Sequence, residues 1–168
     1  MHKSIPIVGI VAAGSNAGKT TLITKLIVEF KSRNIRVSVI KHAHHVFDID
    51  HKGKDSYNIR EAGAVQTLIA SNQRWALMTE IASEPNLQEL IAQLNPNYAD
   101  LILVEGFKQA AISKIEVHRP SLNMPLLARQ DPSIIAVASD AALTSNINIP
   151  VLDLNDSSAI AGFIITHF

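Results

Sequence analysis

The runs Ile5–Ala12, Val37–Ile40, Leu101–Val104, Ile134–Ala138 and Val151–Leu154 are continuously apolar and rich in β-branched residues. A half-exposed strand alternates apolar with polar positions, whereas a strand covered on both faces does not, so these runs predict buried strands of a parallel sheet. Helical spacing fills the intervals. Leu22, Ile23, Leu26, Ile27 and Phe30 form one apolar stripe, Leu87, Leu90, Ile91 and Leu94 a second, and Ile160, Phe163 and Ile164 a third. This alternation predicts a three-layer α/β domain with a mainly parallel sheet. Gln66–Ala70 and Trp75–Thr79, joined by Ser-Asn-Gln-Arg, predict a hairpin that adds antiparallel strands to the sheet. Lys114–His118 (KIEVH) alternates and predicts a half-exposed strand. The polar segment from His42 to Asp55, with Gly53 inside it, predicts one long loop, a kind of segment that is often functional.

Composition narrows this picture. A chain of 168 residues predicts a single domain spanning 1–168. Lys plus Arg equals Asp plus Glu at 15 each, so no overall basic field points to nucleic acid, although a local anion site is compatible with neutrality. With no cysteine, disulfides, thiolate zinc sites and a cysteine nucleophile are excluded. No stretch reaches the roughly 18 apolar residues of a membrane span, and the simplest expectation is a soluble, cytoplasmic protein.

The strongest chemistry lies in Val11–Thr21, VAAGSNAGKTT. Against the phosphate-loop pattern G-x-x-x-x-G-K-[ST], the final three positions are Gly18, Lys19 and Thr20, but Ala13 stands at the first glycine. A hydrophobic strand precedes this loop and an amphipathic helix follows, as phosphate binding at a helix N-terminus requires. The span Gly14, Ser15, Asn16, Ala17, Gly18, Lys19, Thr20 and Thr21 is therefore the predicted nucleotide-binding loop. Lys19 reaches the phosphates as a catalytic charge and Thr20 offers its hydroxyl to Mg²⁺. Ala13 is tolerable if its φ is negative, and Gly14 beside it is expected to supply flexibility where the chain leaves the strand. In LILVEGFK, Glu105 ends a strand where such a site needs a carboxylate for Mg²⁺, most simply through a bound water. These elements predict a P-loop NTPase fold.

The segments AAGSNAGKTTL, VIKHAHH, GKDSYNIREAGA, QRWALMTE, LILVEGFK and IIAVASD, spread from about Ile7 to Asp156, carry a more specific signal. Together they resemble the MobB family, molybdopterin-guanine dinucleotide biosynthesis protein B. KHxHH and GKDSY in this order are much narrower than a phosphate loop alone, and the family's loop also tends to lack the first glycine. The resemblance implies a small homodimeric GTP-binding protein with weak GTPase activity. It also implies an adapter for the MobA-like enzyme that attaches GMP to molybdopterin, itself a candidate ligand.

The remaining polar residues leave alternatives open. His42, His44 and His45 suit a transition metal or a pterin phosphate, or are loop histidines, and Lys41 suits an anion-binding surface. Asp48, Asp50 and Asp55 are candidate second magnesium ligands, while Asp55 fits equally as a helix N-cap. Lys54 and Arg60 are candidate contacts for an anionic pterin or plain surface charges. No N-K-x-D motif is present to read guanine; Asp140, closing VASD, is the candidate base reader or a turn aspartate. Asp153 is less specific, and Asp156 is placed to cap the last helix. Trp75 suits a dimer surface or the core. With no evident arginine finger or water-orienting glutamine, hydrolysis is expected to be slow. The rival readings are a P-loop kinase or ligase of a small metabolite and a metallochaperone GTPase using the histidines.

Overall fold

The computed structural model describes residues 5–43, 47–143 and 146–168. In chain order the elements are β1 (Ile7–Val11), α1 (Lys19–Ser32), β2 (Val37–Lys41), α2 (Asp55–Glu61), β3 (Gln66–Ala70), β4 (Trp75–Thr79), α3 (Leu87–Ile91), β5 (Leu101–Glu105), β6 (Lys114–His118), β7 (Ile134–Ser139), β8 (Val151–Asp153) and α4 (Ser157–His167). They group into two compact units, Met1–His42 with Leu87–Phe168, and Ala43–Asn86.

The first unit is built on a six-stranded sheet of order β2-β5-β1-β6-β7-β8 with every pairing parallel. Successive side chains of a strand face opposite sides, and β5 buries both. Leu101 and Leu103 join one core with Leu22, Leu26, Phe30, Ile160 and Ile164 of α1 and α4. Ile102 and Val104 join a second core with Ile40, Leu87, Leu90 and Ile91 on the α3 side. The continuous apolar runs are thus the strands of a three-layer α/β unit, with β2 and β8 at the edges more exposed than the runs suggested.

Helix ends follow local chemistry. Asn34 takes a left-handed conformation (φ 58°) after α1 while Ile35 N donates to Phe30 O at 2.9 Å, a Schellman-type stop. Asp156 caps α4 by accepting from Ala159 N at 2.8 Å, as expected. The second apolar stripe extends beyond its helix: α3 ends at Ile91, and Pro96 blocks continuation, yet Leu94 still packs on the second core.

KIEVH departs from its expected half exposure. As β6 it lies between β1 and β7, with Lys114 2% and Glu116 0% exposed. Both charges find partners inside. Lys114 Nζ donates to Asp131 Oδ2 (2.8 Å) and Ser133 Oγ (2.6 Å), and Glu116 accepts from Leu127 N (2.9 Å) and Ala128 N (2.8 Å). Burial alone pushes the Asp131 carboxyl up, but the bonds from Lys114 and Ser133 hold it below its usual value. Burial likewise pushes Glu116 up, and its two backbone donors only partly oppose this.

In the second unit, β3 and β4 pair antiparallel with Leu68 opposite Leu77 and Ala70 opposite Trp75. The hairpin is present as expected but forms a two-stranded sheet of its own rather than extending the parallel one. Trp75 is exposed, not core. Arg60 gathers this unit's acids: Nη2 bonds Asp48 (3.1 Å) and Asp50 (3.2 Å), and the guanidinium lies 5.1 Å from the Tyr57 ring centroid. Arg60 therefore offsets part of the charge of Asp48 and Asp50, and the cluster keeps a net negative charge. The N-cap of α2 is Lys54, in extended conformation, so Asp55 is not the cap; it is the first helical residue, where a carboxylate favours the helix dipole.

Glu116→Gln should leave one buried backbone N–H facing an amide donor and cost about 1–3 kcal/mol of stability in urea denaturation. Because the folded-state value of Glu116 is raised, the wild type's advantage over this variant should be largest in acid and shrink as pH rises above the ordinary carboxylate range. An unchanged midpoint, or an advantage that grows with pH, would contradict this account.

Candidate functional site

All the parallel strands present their carboxyl ends at one edge of the sheet, the edge at which open α/β sheets bind ligands. From that edge β1 runs through residues 12–18 into α1, whose first residue is Lys19. Ala13 and Gly14 are absent from the positive-φ residues; the left-handed positions of the loop are Asn16 (φ 60°) and Gly18 (φ 100°). The alanine thus meets the condition for tolerance, and Gly14 needs no left-handed backbone; a Cβ there would stand 2.5 Å from Met124 Cε, the movable end of an exposed side chain.

The sheet register puts Glu105 of β5 opposite Ile10 of β1 on one side and Lys41 of β2 on the other. From there its carboxylate reaches α1. Thr20 Oγ1 donates to it, with its two oxygens at 3.0 and 3.1 Å. Lys41 Nζ bonds the same carboxylate at 3.2 and 3.3 Å, so Glu105 compensates its charge. Gly106 (φ +93°) leaves β5 beside His42, where a Cβ would come within 2.9 Å of His42 Cβ. The His42 and Phe107 rings lie 4.9 Å apart between centroids. His44 and His45 lie outside the described residues.

Cations also bond the carbonyls of the loop. Lys19 Nζ donates to Gly14 O (3.3 Å), Lys108 Nζ to Ala13 O (3.0 Å) and Arg119 Nε to Ala17 O (2.9 Å). Arg119 Nη1 pairs with Asp140 at the end of β7. Lys41 pairs with Glu105 and Arg119 with Asp140, and Lys19 and Lys108 add two further cations at the loop, a local cationic excess in a neutral chain. Burial lowers the Lys19 ammonium; Glu105 opposes this and Lys108 and Lys41 add to it. A polyanion near Lys19 would relieve that strain on the charged form.

The oxygen donors Thr20 and Glu105 fit Mg²⁺, which takes one or two protein ligands and completes its shell with phosphate oxygens and water. Among the described residues no group of three or more acidic or histidine side chains gathers as a metal cage. Asp55 belongs to the second unit, within the first turn of α2. Arg119 and Lys108 were not singled out in the sequence. Reading KIEVH as an inner strand would have revealed Arg119, since the residue after such a strand emerges at the ligand edge.

The model of the family described as "Molybdopterin guanine dinucleotide synthesis protein B" matches residues 7–140, from β1 to Asp140. The chain belongs to the MobB family. It is 48% identical over 157 residues to the molybdopterin-guanine dinucleotide biosynthesis adapter protein of Escherichia coli K12, covering 92% of this chain and 89% of that one. To the adapter protein of Haemophilus influenzae it is 45% identical, covering 98% and 90%. The solved structure of a molybdopterin-guanine biosynthesis protein B aligns with a TM-score of 0.74 at 26% identity over 96% of this chain and 99% of that one. MobB of Bacillus subtilis, at 22% identity over 98% of each chain, aligns with a TM-score of 0.75 and shows the shared fold. The MobB family match thus spans every loop-side residue named above, Lys108 and Arg119 included, whereas β8 and α4 lie beyond it. No helix among the described residues is long and apolar enough to cross a membrane.

If Arg119 fixes the loop, Arg119→Met should speed amide hydrogen exchange at residues 16–19 by about tenfold, the scale of one charge-assisted bond at a partly exposed site. Exchange at the wild-type rate would show that the loop holds its shape without the arginine.

Proposed function

We propose that this chain is a guanine-nucleotide-binding adapter in molybdopterin guanine dinucleotide biosynthesis, binding GTP with Mg²⁺ at the loop between β1 and α1. The observation that carries the reading is the Thr20 to Glu105 bond, which joins the hydroxyl and the carboxylate of a magnesium site beside Lys19. In this reading the backbone from Gly14 to Thr21 cradles the phosphates, with Ser15, Asn16, Ala17 and Gly18 contributing amides, and Lys19 neutralises the charge developing on the transferred phosphoryl group. Thr20 and Glu105 would hold Mg²⁺, directly or through water. Bound magnesium would supply charge neutralisation between the outer phosphates.

Hydrolysis is proposed to be slow. Arg119, the arginine bonded to the loop among the described residues, already serves Ala17 O and Asp140, so it is not poised as a finger on the γ phosphate. The names of the Escherichia coli and Haemophilus influenzae relatives favour an adapter over a metabolite kinase. On this reading the chain is cytoplasmic and serves a MobA-like GMP-transferring enzyme, with molybdopterin as a possible direct ligand. A homodimer is proposed as well, favoured by the exposed apolar hairpin residues Leu68, Trp75 and Leu77. Asp140 is proposed to read the guanine ring from the end of β7.

Calorimetry tests the site. Lys19→Ala should weaken GTP binding by at least about a hundredfold, whereas Ala13→Gly should leave it within about twofold, since position 13 needs no positive φ. Retained affinity in the lysine variant would refute the assignment. For the base, Asp140→Asn should lower the preference for GTP over ATP by about tenfold, the scale of one hydrogen bond to a charged group; an unchanged preference would remove Asp140 from that role.

A further inference from the structure

Lys41 holds a position that the reading above gives to a metal ion. Its ammonium nitrogen lies 3.4 Å from Thr20 Oγ1 and 3.3 and 3.2 Å from the two oxygens of Glu105. Three N–H donors thus meet three oxygens, the same oxygens that a magnesium ion would draw on. A divalent cation and an ammonium cannot share this donor set, because like charges in contact repel strongly away from bulk water. The two partners differ in mobility. The Glu105 side chain is 11% exposed and bonded by Thr20, whereas the Lys41 side chain is 55% exposed on a flexible stem.

We propose that Lys41 is an internal stand-in for the metal, occupying the Thr20 and Glu105 oxygens until magnesium arrives with a nucleotide. The inference rests on the magnesium-nucleotide reading and adds a coupling to it. Without nucleotide, the ammonium keeps the carboxylate compensated and disfavours a lone divalent cation. A triphosphate beside Lys19 offers Lys41 another anion within a side-chain swing, so the ammonium moves to phosphate as the metal enters. Nucleotide and metal then bind cooperatively, each lowering the cost of the other's arrival. The device needs a cation one strand away and in register with the carboxylate, and β2 supplies it with Lys41 paired to Glu105.

Mn²⁺ titration followed by electron paramagnetic resonance, on the whole chain without nucleotide, tests this. Lys41→Met should bind Mn²⁺ about five- to tenfold more tightly than the wild type. Lys41→Arg, which keeps the charge, should stay near the wild type, and adding Glu105→Gln to Lys41→Met should abolish the gain. Equal Mn²⁺ affinity in the wild type and Lys41→Met would overturn the proposal, as would a gain that survives Glu105→Gln. Titration of the wild type with a fluorescent GTP analogue separates the two ideas. Absence of nucleotide binding would sink the nucleotide reading, while the Mn²⁺ comparison still decides the role of Lys41.

Discussion

The register of three adjacent parallel strands underlies the site. With Ile10, Glu105 and Lys41 aligned across β1, β5 and β2, the carboxylate that ends β5 stands between the strand that feeds the loop and the strand that carries the lysine. A slip of one residue would turn Glu105 to the other face and transfer Leu101 and Leu103 from the α1 core to the α3 side. Burial of both faces of β5 therefore makes the register costly to change. The Thr20 bond, the Lys41 pair and the path of the loop all inherit their geometry from it.

The second constraint is the inner position of β6. Placing Lys114 and Glu116 inside the sheet is tolerable only because Asp131, Ser133 and the amides of Leu127 and Ala128 meet them there. The consequence appears at the strand's end, where Arg119 emerges next to the loop and holds Ala17 O. In a trans peptide the carbonyl and the following N–H point to opposite sides. Anchoring the Ala17 carbonyl on Arg119 and the Ala13 carbonyl on Lys108 thus turns the amides of Gly18 and Gly14 away from those cations. A buried polar arrangement at one end of β6 in this way supports the ordering of an exposed loop at the other.

Much of this was legible in the chain because the signals were local. Strand, loop, helix and the carboxylate at the end of LILVE are each declared within a few residues, and Asp156 announces its helix by type and position. The misreadings share a cause. Alternation in KIEVH suggests solvent on one face only if its charges have no buried partners, and those partners lie 11 to 19 positions away in sequence. Arg119 went unnoticed for the same reason, since its importance depends on which strand it follows. The Gln66 to Thr79 hairpin was recognisable from its turn, but membership of a sheet is a long-range property that pairing within the hairpin does not encode. The Lys41 to Glu105 pair is likewise invisible to local reading, since its two residues stand 64 positions apart.

Ala13 shows how a motif letter and its physical requirement separate. The loop does need left-handed backbone, but takes it at Asn16 and Gly18, positions where an asparagine or a glycine adopts it at low cost. Where the chain passes Met124, the near contact at Gly14 is with the movable end of that side chain and sets no strict demand for glycine. What remains for position 13 is a carbonyl facing Lys108, which any L-residue supplies. The pattern's first glycine is therefore dispensable here because the constraints it usually satisfies have moved to its neighbours. Gly18 has no such relief, with its positive φ and with the Arg119 guanidinium 3.3 Å from where a Cβ would stand.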